Sequence, residues 1–396
     1  MKNTILAIIF LFLGYMAASQ RAQVYIMDAD HLNSIRANYN QRSKKAIALV
    51  DSLRKEADRY LDMKPVSVVE KAFTPQSGDK HDYMSQAPYF WYDSSKPNGL
   101  PYLRRDGVRN PEINKITDKK FLGDLENATK TLALAWYFTG REQYAAKAAG
   151  LIRHWFFDEA TRMNPNLEHA QAIPGVNHGR GIGIIESRAF TGIGDAAALL
   201  EKSKSWTTTD EAQLKKWYKT FLDWMLTSKN GKDERAAKNN HGTWYYVQVI
   251  HFALVTGDRK LARDLAIESR QRLDSQLAKD GQQPLELERT KALSYSTMNL
   301  RGWFEAARLA DQVGINLWNY QTSKGSSSRE ALDWLTPYAF GEKKWNYQQI
   351  EKYNINEIYP LLLQAAVQFK ESAYREKAES ITTGNSNALT NVLYKK

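Results

Sequence analysis

The chain has 396 residues, of which 43% are hydrophobic and 25% are charged, and its formal net charge is +11. These proportions are ordinary for a globular protein that buries a sizeable core. The sequence contains no cysteine, which excludes a disulfide framework, a thiolate metal site and a lipoprotein anchor.

The first element in chain order is a predicted secretory signal peptide over residues 1–22. A basic start precedes an apolar run from Ile5 to Met16, and small residues follow as far as Ser19. The run is shorter than the roughly 20 apolar residues that span a bilayer, so it is typical of a cleavable signal. We therefore predict an exported protein, periplasmic or secreted, with no membrane anchor and with a single domain over residues 23–396.

The excess of positive charge indicates an acidic partner outside the cytoplasm, because the exported chain carries no nucleic-acid motif. An anionic polysaccharide fits this description, and the 11 Trp and 21 Tyr offer faces that stack against sugar rings. The alternatives are a basic surface that serves only solubility and aromatic residues that only fill a helical core. We expect a monomer with no nucleic-acid partner.

Helix–turn–helix units dominate the rest of the chain, and their turns fall at Gly140, Gly257, Gly314 and Lys370. Glycine ends helices because it enters the left-handed region at low cost. Apolar residues at helical spacing predict which face of a helix is buried. In the helix after Gly140 these residues are Tyr144, Ala148, Leu151, Ile152 and Trp155, and in the helix after Gly257 they are Leu261, Leu265, Ile267 and Leu273. Repeated units of this kind predict an all-α fold of antiparallel helical hairpins, either an open solenoid or an (α/α) barrel.

Three stretches with poor periodicity separate the hairpins, over residues 72–118, 158–186 and 279–296. Long loops inside a compact domain are usually functional or disordered. These stretches are rich in aromatic, amide and basic residues, which argues against disorder. A shorter loop is predicted over residues 323–330.

The first of these stretches contains "KHDYMSQAPYFWYDSSKPNGLPYLRRDGVRNPE". Its basic and aromatic side chains are those that a positively charged, aromatic-lined groove needs, although a loop could also pack its own aromatics. The substrate-binding candidates are Lys80, Tyr83, Gln86, Tyr89 and Arg109.

The second stretch contains "AQAIPGVNHGRGIGIIESR", in which polar donors lie among glycines that let the backbone approach a ligand. It follows no strand pattern and lacks the lysine of a phosphate-binding loop. The histidine spacings also fit no zinc site, so we expect no metal and no cofactor. The binding candidates are Gln171, Asn177, His178 and Arg180.

The segment "KNNHGTWYYVQ" places Asn239, Asn240 and His241 in front of an aromatic helix face that begins with Trp244. Asparagine is a good helix cap, so a capped helix with a buried histidine is one interpretation. The functional interpretation is an anion site, because a helix N-terminus with amide and imidazole donors favours negative charge. Asn239 and Trp244 are then substrate-binding candidates.

In "ELERTKALSYS", Arg289 precedes Tyr295 by six residues. Arginine offers a two-pronged donor to a carboxylate, and a nearby cation lowers the pKa of a tyrosine phenol, which would allow Tyr295 to act as a base. A surface Arg–Glu pair beside a core tyrosine is the alternative. Glu286 and Glu288 also allow a carboxylate acid/base pair.

Together, these four motifs resemble the alginate lyase superfamily, and most closely polysaccharide lyase family 38, which is related to the family 5 alginate lyases. The similarity covers roughly residues 70 to 340, with the motifs in the family's order. The resemblance implies an (α/α) barrel that cleaves uronic acid polymers by β-elimination without a metal. It also implies that Asn240, His241, Arg289 and Tyr295 fill the catalytic positions.

The predicted function is therefore an exported lyase for 4-linked uronic acid polymers, with alginate as the first choice of substrate and glucuronan as the second. A glycoside hydrolase on the same barrel would instead need two carboxylates, for which Glu186, Glu286 and Glu288 are available. A helical-repeat protein that binds glycans without catalysis is a third possibility.

Overall fold

The computed structural model describes residues 22–381 and 388–394, and within these residues most of the chain is helical. The predicted signal peptide, except for Ala22, lies outside the described residues. No helix in the described part of the chain is long and apolar enough to cross a membrane. The described helices are α1 (Ala29–Asn40), α2 (Lys44–Leu61), α3 (Asp118–Thr139), α4 (Glu142–Phe156), α5 (Ala189–Leu199), α6 (Thr208–Thr227), α7 (Lys229–Ala236), α8 (Asn240–Val255), α9 (Arg259–Gln276), α10 (Pro284–Leu287), α11 (Ala292–Asp311), α12 (Ser328–Ala339), α13 (Tyr359–Gln368), α14 (Ser372–Ser380) and α15 (Ala388–Tyr394).

The helical hairpins form where the sequence predicts them. Gly140 ends α3 in the left-handed conformation, with a φ of 65°, and α4 follows directly. Gly257 lies between α8 and α9, Gly314 follows α11, and Lys370 takes a φ of 56° between α13 and α14. The turns at Gly140, Gly257 and Lys370 are short, so the helices on either side of each turn pack as a hairpin, whereas residues 315–327 separate Gly314 from α12.

The helices close into a ring. Helix α3 contacts α5, α5 contacts α8, α8 contacts α11 and α11 contacts α13, while α15 joins α13 to α2 and α2 returns to α3. This closed order confirms the predicted (α/α) barrel and excludes the open solenoid. A hydrogen bond of 3.0 Å between His31 Nε2 in α1 and the Val392 carbonyl in α15 supports the closure.

Helix α8 is one of the helices that form the ring, and nearly every one of its residues is buried. A helix that is apolar all round is typical of the core of a large protein. The predicted faces of α4 and α9 are buried as expected, apart from Ile267, which is 42% exposed, and Leu261, which is partly buried. Ile267 lies on the solvent side of α9 because only one stripe of this outer helix faces the core.

The long stretches of poor periodicity carry the few described strands. These are β1 (Met84–Gln86), β2 (Phe90–Trp91), β3 (Leu103–Arg104) and β4 (His169–Ala172). β1 pairs with β4 in parallel, and β2 pairs with β3 antiparallel. The third stretch is more regular than predicted, because it contains α10 and the first turn of α11. The predicted loop 323–330 ends earlier than expected, because the Ser327 side chain caps α12.

Candidate active site

Residues of the first two loop stretches, of α3 and of the N-terminal ends of α8 and α11 line a cleft of about 550 Å³. The first two loop stretches contribute one wall, and the helix ends contribute the opposite wall. Eight of the predicted site residues line this cleft: Tyr89, Gln171, Arg180, Asn239, Asn240, His241, Arg289 and Tyr295. Residues from four separate motifs therefore meet in one place.

The N-terminus of α8 fixes the first group. The Asn239 side chain caps the helix by accepting a hydrogen bond from the His241 backbone N–H at 3.3 Å. Asn240 is fully buried, and both its backbone N–H and its Nδ2 donate to the carboxylate of Glu286, at 2.6 and 2.7 Å. Its Oδ1 atom is buried without a partner in the described residues. The helix-capping interpretation is confirmed, and the carboxylate that these donors bind is that of Glu286.

His241 is held by a carboxylate on the preceding helix. Its Nδ1 atom lies 2.8 Å from Oε1 of Glu234 in α7, and the Glu234 side chain is fully buried. A carboxylate oxygen accepts hydrogen bonds, so this contact places a proton on Nδ1 and leaves Nε2 of the neutral ring unprotonated. The ring lines the cleft and keeps 15% of its side-chain surface exposed. The arrangement suits a base or a hydrogen-bonding group.

Arg289 lies in the turn between α10 and α11 and is fixed on two sides. Its Nε and Nη2 atoms donate to Asp106 at 3.1 and 2.9 Å, and its guanidinium carbon lies 3.7 Å from the centre of the Tyr295 ring. Burial raises the pKa of Asp106, but the hydrogen bonds and charge of Arg289 outweigh it and hold that pKa well below its ordinary value. Asp106 is therefore ionised and orients the guanidinium.

Tyr295 lies in the first turn of α11, and its hydroxyl donates to the Tyr89 hydroxyl at 2.8 Å. Burial raises the pKa of Tyr295, Arg289 lowers it and Tyr89 raises it, so that the net pKa lies well above its ordinary value. The prediction that the neighbouring cation lowers this pKa overall is wrong, because desolvation of the phenolate outweighs the attraction of Arg289. The Tyr295 hydroxyl is therefore placed as a proton donor.

A second buried network supports the opposite wall. Glu186 accepts from Tyr83 at 2.9 Å, from Ser85 at 2.6 Å and from Lys119 at 2.8 Å, while Gln171 Nε2 lies 3.2 Å away. Burial raises the pKa of Glu186, yet Lys119 and these hydrogen bonds lower it below its ordinary value. Gln171 then accepts a 3.0 Å hydrogen bond from Arg180. This network positions Arg180 at the cleft surface.

The remaining predicted binding residues do not line the cleft: Lys80, Tyr83, Gln86, Arg109, Asn177, His178 and Trp244. Lys80 donates to a backbone carbonyl at 2.8 Å, Tyr83 is fully buried and Asn177 accepts from the Ile173 backbone at 3.1 Å. Trp244 is buried, and its ring packs under the guanidinium of Arg188.

Two residues that the sequence analysis did not single out hold the site together, namely Glu234 and Asp106. Glu234 precedes His241 by seven residues, within a charged segment that resembles an ordinary solvated helix. Asp106 lies among the arginines of the first loop, 183 residues from Arg289. Spacing alone gave no signal for either contact, because both depend on how the elements pack.

The three glutamates considered for a hydrolase lie in three different environments. Glu186 lines the cleft, but both of its oxygens are occupied by donors. Glu286 is buried behind Asn240, and Glu288 is exposed outside the cleft lining. An inverting or retaining pair needs two carboxylates that face the sugar from opposite sides. The three candidates do not form such a pair across this cleft.

Comparisons with known proteins agree with the geometry. A family model described as alginate lyase matches residues 67–345. The crystal structure of an alginate lyase from Bacteroides ovatus is 39% identical to this chain, covers 94% of this chain and 99% of its own, and has a TM-score of 0.90.

Two more distant structures share the fold. A variant of alginate lyase A1-III complexed with a tetrasaccharide is 16% identical, covers 96% of this chain and 98% of its own, and has a TM-score of 0.62. Alginate lyase A1-III from Sphingomonas species A1 is 15% identical, covers 87% of this chain and 94% of its own, and has a TM-score of 0.55. No protein with a curated description matches the sequence.

Proposed function

This chain belongs to the alginate lyase family and is a polysaccharide lyase, and from that premise we propose that it cleaves alginate by β-elimination at 4-linked uronic acid residues. One observation carries the proposal. Asn240, His241, Arg289 and Tyr295 come from distant parts of the chain and line a single cleft. These are the residue types that β-elimination next to a carboxylate requires.

The cleft has the charge that an anionic polymer needs. Its lining contains more cations than carboxylates, which raises the local concentration of a polyanion. The cations are Arg104, Lys119, Arg180, Arg188 and Arg289, and the carboxylates are Glu126 and Glu186.

The chemical obstacle is the weakly acidic proton at C5 of the uronate. Removal of this proton puts negative charge on the adjacent carboxylate, and groups that neutralise the carboxylate lower the barrier. We assign this task to Asn240 and Arg289, and to His241 only in the state in which its ring is protonated and Nε2 can donate a hydrogen bond. Glu286 and Asp106 hold the first two in fixed orientations, so little reorganisation is needed when the substrate binds.

The elimination then needs one base and one acid. The C5–H bond breaks, its electron pair forms the C4–C5 double bond, the C4–O4 bond breaks and O4 takes up a proton. Where the C5 proton and O4 lie on the same face, Tyr295 can do both jobs only after it has lost its own proton, because the phenolate takes the C5 proton and the phenol so formed donates it to O4. Where they lie on opposite faces, His241 Nε2 takes the proton and Tyr295 donates to O4.

The raised pKa of Tyr295 supports its role as the acid, because the phenol keeps its proton until the leaving oxygen develops charge. The Glu234 contact supports His241 as the base, because it fixes the tautomer in which Nε2 is free to accept. The division of labour therefore depends on the epimer at C5, which differs between mannuronate and guluronate.

The decisive experiment incubates the purified protein with polymannuronate, polyguluronate and glucuronan and follows the ultraviolet absorbance of the new double bond. Absorbance that rises with the two alginate polymers supports the proposal, and a rise with glucuronan alone makes the chain a glucuronan lyase. New reducing ends without absorbance indicate a hydrolase. Binding without any product indicates a glycan-binding protein.

We further propose that residues 23–396 act as one exported, monomeric catalytic domain. All the described helices contribute to the ring or pack around it, and the basic charge suits a polyanion met outside the cytoplasm. Mass spectrometry of the mature N-terminus and the native mass of the purified protein test these two points.

A further inference from the structure

The cleft continues into the centre of the ring, where Arg188 forms the junction. Arg188 ends the 3-10 segment Gly181–Arg188 and lines three adjoining cavities. Two of these cavities also contain Tyr295 and Met298. The third, of about 280 Å³, extends into the lumen of the ring. Arg188 and the proposed acid, Tyr295, thus line two of the same cavities.

The guanidinium of Arg188 has no carboxylate within ion-pair distance among the residues that the structure describes. Its carbon lies 5.2 Å above the Trp244 ring, and its Nη1 atom lies 3.7 Å from the sulfur of Met298. The buried indole and the thioether support the cation without neutralising it. The side chain remains exposed within the cavity, so its donors are available to a ligand.

The other cations of the cleft are mostly engaged. Arg289 and Arg104 share Asp106, and Lys119 binds Glu186. In the lumen, Arg301 donates to Glu305 at 2.9 Å. A positive charge left unpaired in such a cavity costs free energy unless a ligand supplies the missing anion. Arg180 also has no carboxylate partner among the described residues, but its Nε and Nη2 atoms donate to Gln171 at 3.1 and 3.0 Å. Arg188 differs from these neighbours because neither a carboxylate nor an amide oxygen accepts from its guanidinium in the described residues.

We propose that Arg188 binds the carboxylate of a uronate residue adjacent to the one that is cleaved. A 4-linked uronan carries one carboxylate on every sugar, so a polymer held by Arg289 at one position presents a second carboxylate nearby. The planar guanidinium suits two-pronged binding of that group. Trp244 acts through Arg188, as the platform that orients the guanidinium. The inference rests on the proposed function, because it assumes a uronan in the cleft.

The experiment compares Arg188→Gln with the wild-type enzyme on the uronan that the wild type cleaves, with KM and kcat measured separately. Loss of a charge-assisted carboxylate contact predicts a rise in KM of roughly tenfold to hundredfold, with kcat changed by less than about threefold. Arg301→Gln is the matched control, since it removes a cation from the same lumen that already has a partner. Its KM should stay within about twofold of the wild-type value.

An unchanged KM in Arg188→Gln overturns the inference, and so does an equal rise in KM in Arg301→Gln, which would indicate a general charge effect of the lumen. If Arg188→Gln fails to fold, as judged by thermal unfolding, Arg188→Lys decides the matter. Lysine keeps the positive charge but cannot donate two parallel hydrogen bonds to one carboxylate. A rise in KM of about threefold to tenfold therefore supports the contact, and an unchanged KM refutes it. A wild-type protein inactive on every uronan would defeat the proposed function instead.

Discussion

Helix α8 carries two histidines, His241 in its first turn and His251 ten residues later, and each has a carboxylate partner. His251 Nε2 lies 3.2 Å from Asp195, and both side chains are buried. Asp195 also accepts hydrogen bonds from the backbone of Tyr25, Ile26 and Met27, so this pair anchors the segment before α1. The His241–Glu234 pair instead lies at the wall of the cleft.

The difference between the two pairs lies in the second ring nitrogen. His251 Nδ1 is buried without a partner among the described residues, whereas the His241 ring borders a cavity that admits a substrate. A carboxylate partner alone therefore does not mark a catalytic histidine. Access of the other nitrogen to a ligand is what separates a group that can transfer a proton from one that stabilises the fold.

The largest expected effect concerns Tyr295, the acid beside His241. We expect Tyr295→Phe to lower kcat by roughly 10³-fold on every substrate, because the leaving O4 loses its proton donor. Double-bond absorbance under substrate saturation measures this change. The matched control is Tyr245→Phe in α8, whose buried hydroxyl donates to the Met225 carbonyl at 3.1 Å. The control should cost about 1 kcal/mol of stability and leave kcat intact, and equal losses in the two variants would contradict the assignment.

Exchange of each histidine for alanine tests the comparison directly. His241→Ala should lower activity by roughly 10²-fold, most strongly on the polymer whose C5 proton lies opposite O4, and it should also cost stability because it leaves the buried Glu234 carboxylate without its partner. His251→Ala should lower the free energy of unfolding by about 3 kcal/mol but spare the activity of the folded fraction, because it removes the buried hydrogen-bond partner of Asp195 far from the cleft lining. Chemical denaturation and initial rates separate the two outcomes. Equal losses by His241→Ala on both epimers would refute the division of labour.

Substitution of the two carboxylate partners should likewise affect activity at Glu234 and stability at Asp195, with smaller effects than substitution of the histidines. Glu234→Gln should reduce activity by about tenfold, because the amide oxygen still accepts from Nδ1 but no longer balances a positively charged ring. Asp195→Asn should leave the activity of the folded protein unchanged and lower stability by about 2 kcal/mol. The comparison fails if Asp195→Asn impairs catalysis in protein that unfolds like the wild type.

The smallest effect concerns the pH response of the first turn of α8. Burial raises the pKa of Glu286 above its ordinary value, although Asn240 lowers it in part. Protonation of Glu286 weakens the hydrogen bonds that orient Asn240, so activity should fall as the pH drops through this raised pKa. Glu286→Gln should remove that group from the acid side of the pH–rate profile and lower the maximal rate by about threefold.

The pH dependence of stability that Glu286 contributes has the opposite sign to the pH dependence of activity, and it offers a second check. Because the folded pKa of Glu286 is raised, the folded protein binds this proton more tightly than the unfolded chain does. Its contribution to stability is present below the ordinary carboxyl pKa and is lost as the pH rises through the raised value. The wild type should therefore lose stability relative to Glu286→Gln over that window, and a constant difference between the two would contradict the raised pKa.

The sequence by itself determined the helical class and much of the hairpin plan. Gly140, Gly257 and Gly314 end or follow helices through local backbone preference, and apolar spacing located most of the buried face of α4 and α9. These features depend on neighbours within a few residues, so periodicity reveals them. Ile267 shows the limit, because an apolar residue at a plausible position still faces solvent on an outer helix.

Only the tertiary structure decided whether the ring closes and which motif residues share the cleft. Closure depends on α15 meeting α2, and the fixed position of Arg289 depends on Asp106, 183 residues earlier. Burial also reversed the expected shift in the pKa of Tyr295, since desolvation is a property of the whole packed environment. The motifs thus determined the chemistry available to this chain, and the packing of distant elements decided which groups face the cleft, because contact between remote residues leaves no local pattern in the sequence.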